Sequence, residues 1–194
     1  MSFARFVVRQ LARPSWLSGR VMNIANASIN SQALELLDLS PGDRVLEVGF
    51  GGGGALAKTL ARALFVAAID PSEASVRAAQ RRFGEELQGG RLRIEQAGVE
   101  TVPFEADSFT RALSVNTIYF WADPGRWLRE IHRVLKPGGR LVLGTETRRV
   151  PRWAARQGFT YYPQDEQATL LRGAGFECIR FERREPFLFA RAAK

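Results

Sequence analysis

From residue 41 to the end of the chain, short apolar runs alternate with segments whose apolar residues recur at helical spacing. The runs predict buried strands, and the second kind of segment predicts helices. The clearest helix carries Leu128, Ile131 and Leu135 on one face, and Asp123 is predicted to cap it with Pro124 at its first position. The predicted strands are 44–48, 64–69, 91–96, 111–115, 140–144, 176–181 and 187–190.

Strands that alternate with helices are typical of a parallel sheet covered on both faces. We therefore predict an α/β fold with a doubly wound, mostly parallel, seven-stranded sheet. The connection between the last two strands is too short for a crossover helix, so these strands are predicted to form a C-terminal antiparallel hairpin. Residues 41–194 form one predicted domain, and 1–40 are predicted to be an N-terminal helical lid or cap segment.

Residues 3–12 are predicted to form an amphipathic helix, with Phe6 and Leu11 on one side and Arg5 and Arg9 on the other. Three interpretations stay open for it. The helix could lie on a membrane surface, it could begin a mitochondrial transit peptide, or it could be a lid that packs on the domain. We favour the lid, with peripheral membrane contact as the alternative.

The composition of the 194 residues, 45% apolar and 25% charged, is ordinary for a soluble globular protein. No apolar run reaches the ~20 residues that a membrane-spanning helix needs. The formal net charge of +8 can attract nucleic acid, anionic lipid or an acidic substrate, so it does not choose among these partners.

Cys178 is the only cysteine, so no internal disulfide can form and a reducing compartment is favoured. We expect a cytoplasmic protein, or one of the mitochondrial matrix if the source is eukaryotic. Cys178 lies in an alternating apolar segment and is expected to be a small core residue. No cluster of Cys, His and carboxylates has metal-ligand spacing, so no metal site is expected.

The most informative segment is 45–54, in which a buried strand leads into a glycine-rich loop. Glycines at this place allow a tight turn and a close approach of a ligand to the backbone. Asp70 ends the next strand ~20 residues later, where a carboxylate can bind the ribose hydroxyls of an adenosine cofactor.

The same glycines also satisfy the G-x-G-x-x-G pattern of dinucleotide-binding proteins, which is a weak signal alone. Glu47 distinguishes the two interpretations. It is a carboxylate inside an apolar strand, where it would repel a pyrophosphate but favour a ligand that carries an ammonium and a sulfonium. The alternative is a buried glutamate that binds only nearby backbone N–H groups.

Five motifs follow one another along the chain: EVGFGGG at 47–53, Asp70, VPF with DSF at 102–109, EIHRVLKPGGRL at 130–141, and AGF at 174–176. In this order they resemble the class I S-adenosylmethionine-dependent methyltransferases, in particular the branch typified by ubiquinone and small-molecule methyltransferases. The resemblance covers about 41–190 and implies a Rossmann-like fold with S-adenosylmethionine as the cofactor.

The resemblance implies a role for each matching residue at the methyl-donor end of the cofactor. Gly49, Gly51 and Gly53 would line its methionine part, with Glu47 near the amino group. Asp70 would hold the ribose. The family therefore places both carboxylates against one ligand.

The adenine end follows from the same resemblance. Pro71 and Ser72 would lie beside the adenine, and Gly98 and Val99 would flank its other side. Asn116, at the end of the fourth strand, would lie near the methionine part and the reacting methyl group.

Two positions depart from the family pattern. Gly98 stands where many relatives have an aspartate that bonds the adenine amino group, and Thr110 stands where they have an aspartate after Ser-Phe. The first departure leaves adenine recognition to other groups. Neither affects the ribose or the methyl-donor end.

Tyr119 and Trp121 are the predicted catalytic residues, because ligands of open α/β sheets bind beyond the carboxyl ends of the strands. Tyr119 could bond the acceptor, and Phe120 or Trp121 could form a pocket wall. Plain core aromatics are the open alternative. His132 is interpreted as structural or surface-facing rather than as a base. Trp153, Tyr161 and Tyr162 are further candidates for the pocket wall.

The leading functional hypothesis is methyl transfer to a small or lipid-like acceptor by in-line displacement. An RNA or protein methyltransferase is the alternative, since the charge is basic. Against nucleobase methylation, the fourth strand is followed by Asn-Thr-Ile-Tyr and not by Asn/Asp-Pro-Pro-aromatic. A non-catalytic cofactor-binding protein of the membrane surface is the third class. The oligomeric state is left open.

Overall fold

The computed structural model describes residues 26–147 and 160–194. The predicted helix over 3–12 and the candidate Trp153 lie outside these ranges. The strands are β1 Arg44–Val48, β2 Phe65–Asp70, β3 Leu92–Gln96, β4 Phe109–Val115, β5 Leu135–Glu146, β6 Glu177–Arg184 and β7 Phe187–Ala193. The helices are α1 Ala27–Leu37, α2 Gly54–Leu60, α3 Glu73–Arg82, α4 Gly84–Gln88, α5 Pro124–Val134 and α6 Gln164–Gly173.

The seven strands form one sheet in the order β3-β2-β1-β4-β5-β7-β6. The pairs among β1 to β5 are parallel, and β7 is antiparallel to both β5 and β6. This confirms the predicted mostly parallel, doubly wound sheet with a C-terminal antiparallel hairpin. The strand order reverses between β1 and β4, and ligands of such sheets bind beyond the carboxyl ends of the strands at this reversal.

Helices cover both faces of the sheet. On one face α5 buries Leu128, Ile131 and Val134 completely. On the other face α1 packs on β4 and β5 through Ile29 and Leu37, which are also fully buried. The apolar positions of the parallel strands are therefore covered on both sides, as their continuous apolar runs require.

The predicted fifth strand is shorter than the observed one. Leu135, predicted as the last apolar residue of the preceding helix, instead begins β5 and pairs with Phe109. The pairing register then shifts and resumes at Arg111 and Arg140. The Lys-Pro-Gly-Gly segment at 136–139 accounts for this irregularity, because proline removes a backbone donor and Gly138 has a φ of +75°.

The expectation that Cys178 is a core residue is wrong. The cysteine is exposed and has a φ of +50° in β6, the edge strand. It lies where the pairing of β6 with β7 shifts between Glu177 and Arg180. The alternating pattern of the sequence is interrupted by this bulge, so the side chain does not face the core.

Thr110, one of the two departures from the family pattern, belongs to a buried polar network at the amino ends of β1 and β4. Its hydroxyl donates to Asp43 Oδ1 at 2.6 Å, and the Arg111 guanidinium lies 3.4 Å from the same oxygen. The other oxygen of Asp43 accepts from the backbone N–H of Ser40 at 2.7 Å. Asp43 therefore joins the turn before β1 to β4.

Replacing Asp43 with Ala is expected to lower the free energy of unfolding by about 2–4 kcal/mol, because Arg111 and Thr110 would lose their buried partner. Urea denaturation measures this change. The control is Glu105→Ala at an exposed position, which should change the free energy by less than about 0.5 kcal/mol. Equal stability of the two variants would contradict the role of the network.

Candidate functional site

The loop after β1 is held against the end of β2. The N–H of Gly49 donates to the carbonyl of Ile69 at 2.8 Å. Gly49, Gly51 and Gly53 have φ values of +72°, +51° and +71°, a region that glycine adopts without strain. A Cβ on Gly49 would lie 2.5 Å from Thr117 Cγ2, so no larger residue fits there without a shift. The three predicted glycines thus form one open cradle of backbone.

Asp70 connects this cradle to the loop after β2. Its Oδ2 accepts from the N–H of Gly51 at 2.8 Å, and its Oδ1 accepts from the N–H of Ser72 at 2.9 Å. Burial raises the pKa of Asp70, although these two bonds act in the opposite direction. The carboxylate is therefore fixed at the carboxyl edge of the sheet, at the place predicted for a ribose-binding residue.

Glu47 lies inside β1 and is 4% exposed. Its carboxyl group forms a hydrogen bond with the backbone of Leu56 in α2. Its Oε2 has no hydrogen-bond partner among the described residues. Burial and then the charge of Asp70 raise the pKa of Glu47 to about 8. A buried oxygen without a partner requires an explanation. A cationic ligand in the glycine cradle would supply the missing partner, which fits the sulfonium and ammonium of S-adenosylmethionine.

The residues predicted for the adenine end surround the same edge at β2 and β3. The Ser72 hydroxyl accepts from the N–H of Ser75 and caps α3, while Gln96 donates to the carbonyl of Pro71 at 3.4 Å. Val99 is buried in the core. These contacts connect the loop after β2 to α3 and to β3.

Glu100 is a residue that the sequence reasoning missed. A Cβ on Gly98 would lie 1.8 Å from Glu100 Oε2, so this carboxylate occupies the space that a side chain at position 98 would need. In the family pattern described above, an aspartate is expected at that position. The position of Glu100, an acidic residue two places after Gly98, is the sequence signal that could have identified it.

Asn116 follows β4 with a φ of +55° and is the centre of a polar cluster. Its amide nitrogen donates to Asn26 Oδ1 at 2.9 Å. Its Oδ1 accepts from the Tyr119 hydroxyl and from the N–H of Glu146 at 3.2 Å. Burial raises the pKa of Tyr119 further above its ordinary value, so its hydroxyl is neutral at physiological pH. Asn26 had no sequence signal, because only the fold brings it to β4.

Trp121 is 5% exposed and packs against Trp127, with ring centroids 5.4 Å apart. It lies in the core under α5, and its role towards an acceptor stays a prediction. Phe120 is half-buried and contacts Tyr119 edge to face at 5.6 Å.

Tyr162 is buried in the same core as Trp121, and Tyr161 is half-buried. His132 lies in the last turn of α5, which precedes β5 and is therefore at the opposite, amino edge of the sheet. Its ring contacts Phe176 edge to face at 5.1 Å, and burial lowers its pKa. The contacts of His132 are those of a structural residue.

Among the described residues, no group of His, Cys, Asp and Glu is arranged to hold a metal ion. No helix within 26–147 or 160–194 combines the length and apolarity needed to cross a bilayer.

Comparison with known proteins agrees with this geometry. Residues 46–143 match a family described as a methyltransferase domain. The chain is 32% identical over 134 residues to the methyltransferase YdaC of Bacillus subtilis, covering 68% of this chain and 72% of that protein. It is 31% identical over 114 residues to the ubiquinone/menaquinone biosynthesis C-methyltransferase of Geotalea daltonii, covering 57% and 48%.

A solved structure shows the same fold. Phosphoethanolamine N-methyltransferase 2 of Haemonchus contortus, with phosphomonomethylethanolamine and S-adenosylhomocysteine, superimposes with a TM-score of 0.82 at 16% identity. The superposition covers 100% of this chain and 60% of that one. The family match, the relatives and the fold agree with the motifs and the carboxylate-flanked glycine loop. The chain therefore belongs to the class I S-adenosylmethionine-dependent methyltransferases.

Proposed function

We propose that this methyltransferase transfers a methyl group to a small or lipid-like acceptor. The observation that carries the proposal is the turn after β4, where Tyr119 and Phe120 place aromatic surface at the carboxyl edge of the sheet. Asn116 fixes the hydroxyl of Tyr119 in this turn. An aromatic surface with one fixed polar group is typical of sites for small organic ligands.

The charges of the site support the same acceptor class. Among the described residues, the buried acidic side chains at the carboxyl edge are Glu47 and Asp70, and Glu146 follows them at the end of β5. Asp70 and Glu146, when ionised, would disfavour the phosphates of a nucleic acid beside them. The basic net charge is therefore no argument for a nucleic-acid acceptor at this site.

The relatives include proteins with acceptors of this kind. One is named for ubiquinone and menaquinone biosynthesis, and another was solved with phosphomonomethylethanolamine. The chain spans about half the length of the first and 60% of the second. Their acceptors therefore indicate a class and not an identity.

Positioning is the main contribution of the protein to such a reaction. S-adenosylmethionine, when bound, supplies a methyl group that is already activated towards displacement. Glu47, Asp70 and the glycine cradle would hold the donor, and the hydroxyl oxygen of Tyr119, whose proton is donated to Asn116, would orient the acceptor. Holding two reactants in near-attack geometry can lower a barrier by ~7–11 kcal/mol. A base is needed only for an acceptor that must lose a proton.

Two further predictions belong to this proposal. A cytoplasmic location follows from the single cysteine, and peripheral membrane contact follows from the basic amphipathic segment 3–12. A lipid-like acceptor would be consistent with such contact. Transfer measured with and without vesicles tests the second prediction.

Incubation with methyl-labelled S-adenosylmethionine and a cell extract separates the acceptor classes. We expect the label in the low-mass or organic-extractable fraction. The amount of label in this fraction should decrease when unlabelled phenols, quinols or amines are added as competing acceptors. Label in RNA or protein that such compounds do not reduce would contradict the proposal.

Replacing Tyr119 with Phe removes the hydroxyl and keeps the ring. We expect kcat/KM for the acceptor to fall about tenfold to a hundredfold, as for the loss of one oriented hydrogen bond. Affinity for S-adenosylmethionine, measured by calorimetry, is the control and should change much less, because Asn116 keeps its bonds to Asn26 and Glu146. An unchanged kcat/KM would remove Tyr119 from the site.

A further inference from the structure

An open cavity of about 280 Å³ lies between the end of α1 and the strands β5, β7 and β6. On the side of α1, Leu36 and Val142 supply apolar contacts at its base. Its rim carries Arg140, Arg180 and Arg191. We call it the arginine cavity.

The strand register explains why these arginines meet. Arg180 and Arg191 are direct cross-strand partners on β6 and β7, so their side chains leave the same face of the sheet side by side. Arg191 is in turn the partner of Val142 on β5, and Arg140 lies two residues before Val142 on that strand. All three guanidinium groups therefore belong to the face that α1 covers.

The neighbouring carboxylates leave most of this charge uncompensated. Arg140 has one weak partner, the exposed Asp38 at 3.5 Å. Glu35 and Glu182 form ion pairs with Arg184, at 3.0 and 2.5 Å, and not with the arginines of the cavity.

Within 26–147 and 160–194, the side chains of Arg180 and Arg191 form no ion pair or hydrogen bond with another residue. Like charges directly opposite each other on paired strands are unfavourable. An anion between the two arginines would remove this repulsion.

We infer that the arginine cavity binds a phosphate group, carried either by a soluble phosphate monoester or by the headgroup of an anionic phospholipid. Guanidinium groups bind phosphate oxygens through paired N–H donors, and several of them around one concave site favour a compact multivalent anion. Leu36 and Val142 at the base would contact the first carbons attached to the phosphate.

This site is separate from the methyl-transfer site. Arg140 begins the part of β5 that pairs in parallel with β4, so the cavity lies at the amino edge of the sheet. The glycine cradle lies beyond the carboxyl ends of β1 and β2. A phosphate could therefore bind without contacting Glu47 or Asp70. If binding is absent at one of the two sites, binding at the other can still be measured.

Calorimetry with inorganic phosphate and with glycerol 3-phosphate tests the soluble source. Flotation with phosphatidylcholine vesicles, with and without phosphatidylglycerol, tests the headgroup. We expect binding in at least one arm, and Arg180→Gln and Arg191→Gln should each weaken it about tenfold or more. The matched control is Arg62→Gln, which removes the same charge from an exposed position after α2.

Melting temperature at low salt is a second measurement. Without phosphate, Arg180→Gln should melt no lower than the wild type, because one of two opposed charges is gone. With phosphate, the wild type should gain more than the variant. Absence of binding in both arms, or equal weakening by Arg62→Gln, would overturn the inference.

Discussion

Replacing Asp70 with Ala is expected to weaken binding of S-adenosylmethionine by about 1.5–3 kcal/mol or more, tenfold to over a hundredfold in Kd. Two effects act together. The ribose hydroxyls would lose a charged acceptor, and the N–H groups of Gly51 and Ser72 would lose the carboxylate that positions both loops. Isothermal calorimetry at pH 7 measures the change.

Two further variants separate these effects. Asp70→Asn keeps the size of the side chain and one acceptor oxygen, so it should bind more tightly than the alanine variant but less tightly than the wild type. Asp165→Ala removes an exposed carboxylate in the first turn of α6 and should leave Kd unchanged. If Asp70→Ala binds like the wild type, the ribose assignment is wrong.

Glu47→Gln is the second change for which we expect a large effect. The amide keeps the shape of the side chain but cannot become an anion, so Kd for S-adenosylmethionine should rise by about tenfold to a hundredfold. Binding to the wild type should release a proton below pH 8, because the pKa of Glu47 is about 8 and a cation favours its ionised form. Calorimetry in buffers of different ionisation enthalpy measures this proton.

Glu47→Gln should weaken cofactor binding but stabilise the free protein at neutral and higher pH. The pKa of Glu47 rises from 4.5 to about 8 on folding, so the folded state holds more protons than the unfolded state between these values. The contribution of Glu47 to stability is therefore complete below pH 4.5 and is lost as the pH rises through 8. Glu47→Gln should remove this decline of the free energy of unfolding with rising pH, because the amide does not ionise.

Urea denaturation from pH 5 to 9 checks the stability part of this prediction. The difference in free energy of unfolding between Glu47→Gln and the wild type should grow with pH. Stability profiles that run parallel over this range would show that Glu47 is ionised in the free protein, and the orphaned oxygen would then need another explanation.

Much of the sheet and the cofactor side could be predicted because their signals are local. β1 begins and ends at the predicted residues, since an apolar run bounded by a turn and a glycine needs no distant information. Asp123 accepts from the N–H of Arg126 and caps α5 as predicted. Asp70 likewise ends β2 where the sequence places it.

The remaining features depend on contacts between distant segments. The alternation around Cys178 predicts a core position, because it does not reveal a bulge that arises only from pairing with β7. The bond between Asn26 and Asn116 joins residues 90 positions apart. The arginine cavity likewise requires the register of three strands. These groups are brought together only by the folded sheet.

Calorimetric titration with S-adenosylmethionine, S-adenosylhomocysteine and a nicotinamide dinucleotide tests the central claim most directly, namely that the cradle after β1 holds an adenosyl sulfur donor between two carboxylates. We predict saturable heat with the first two ligands and none with the third. Binding of the dinucleotide without binding of either sulfur compound would contradict it.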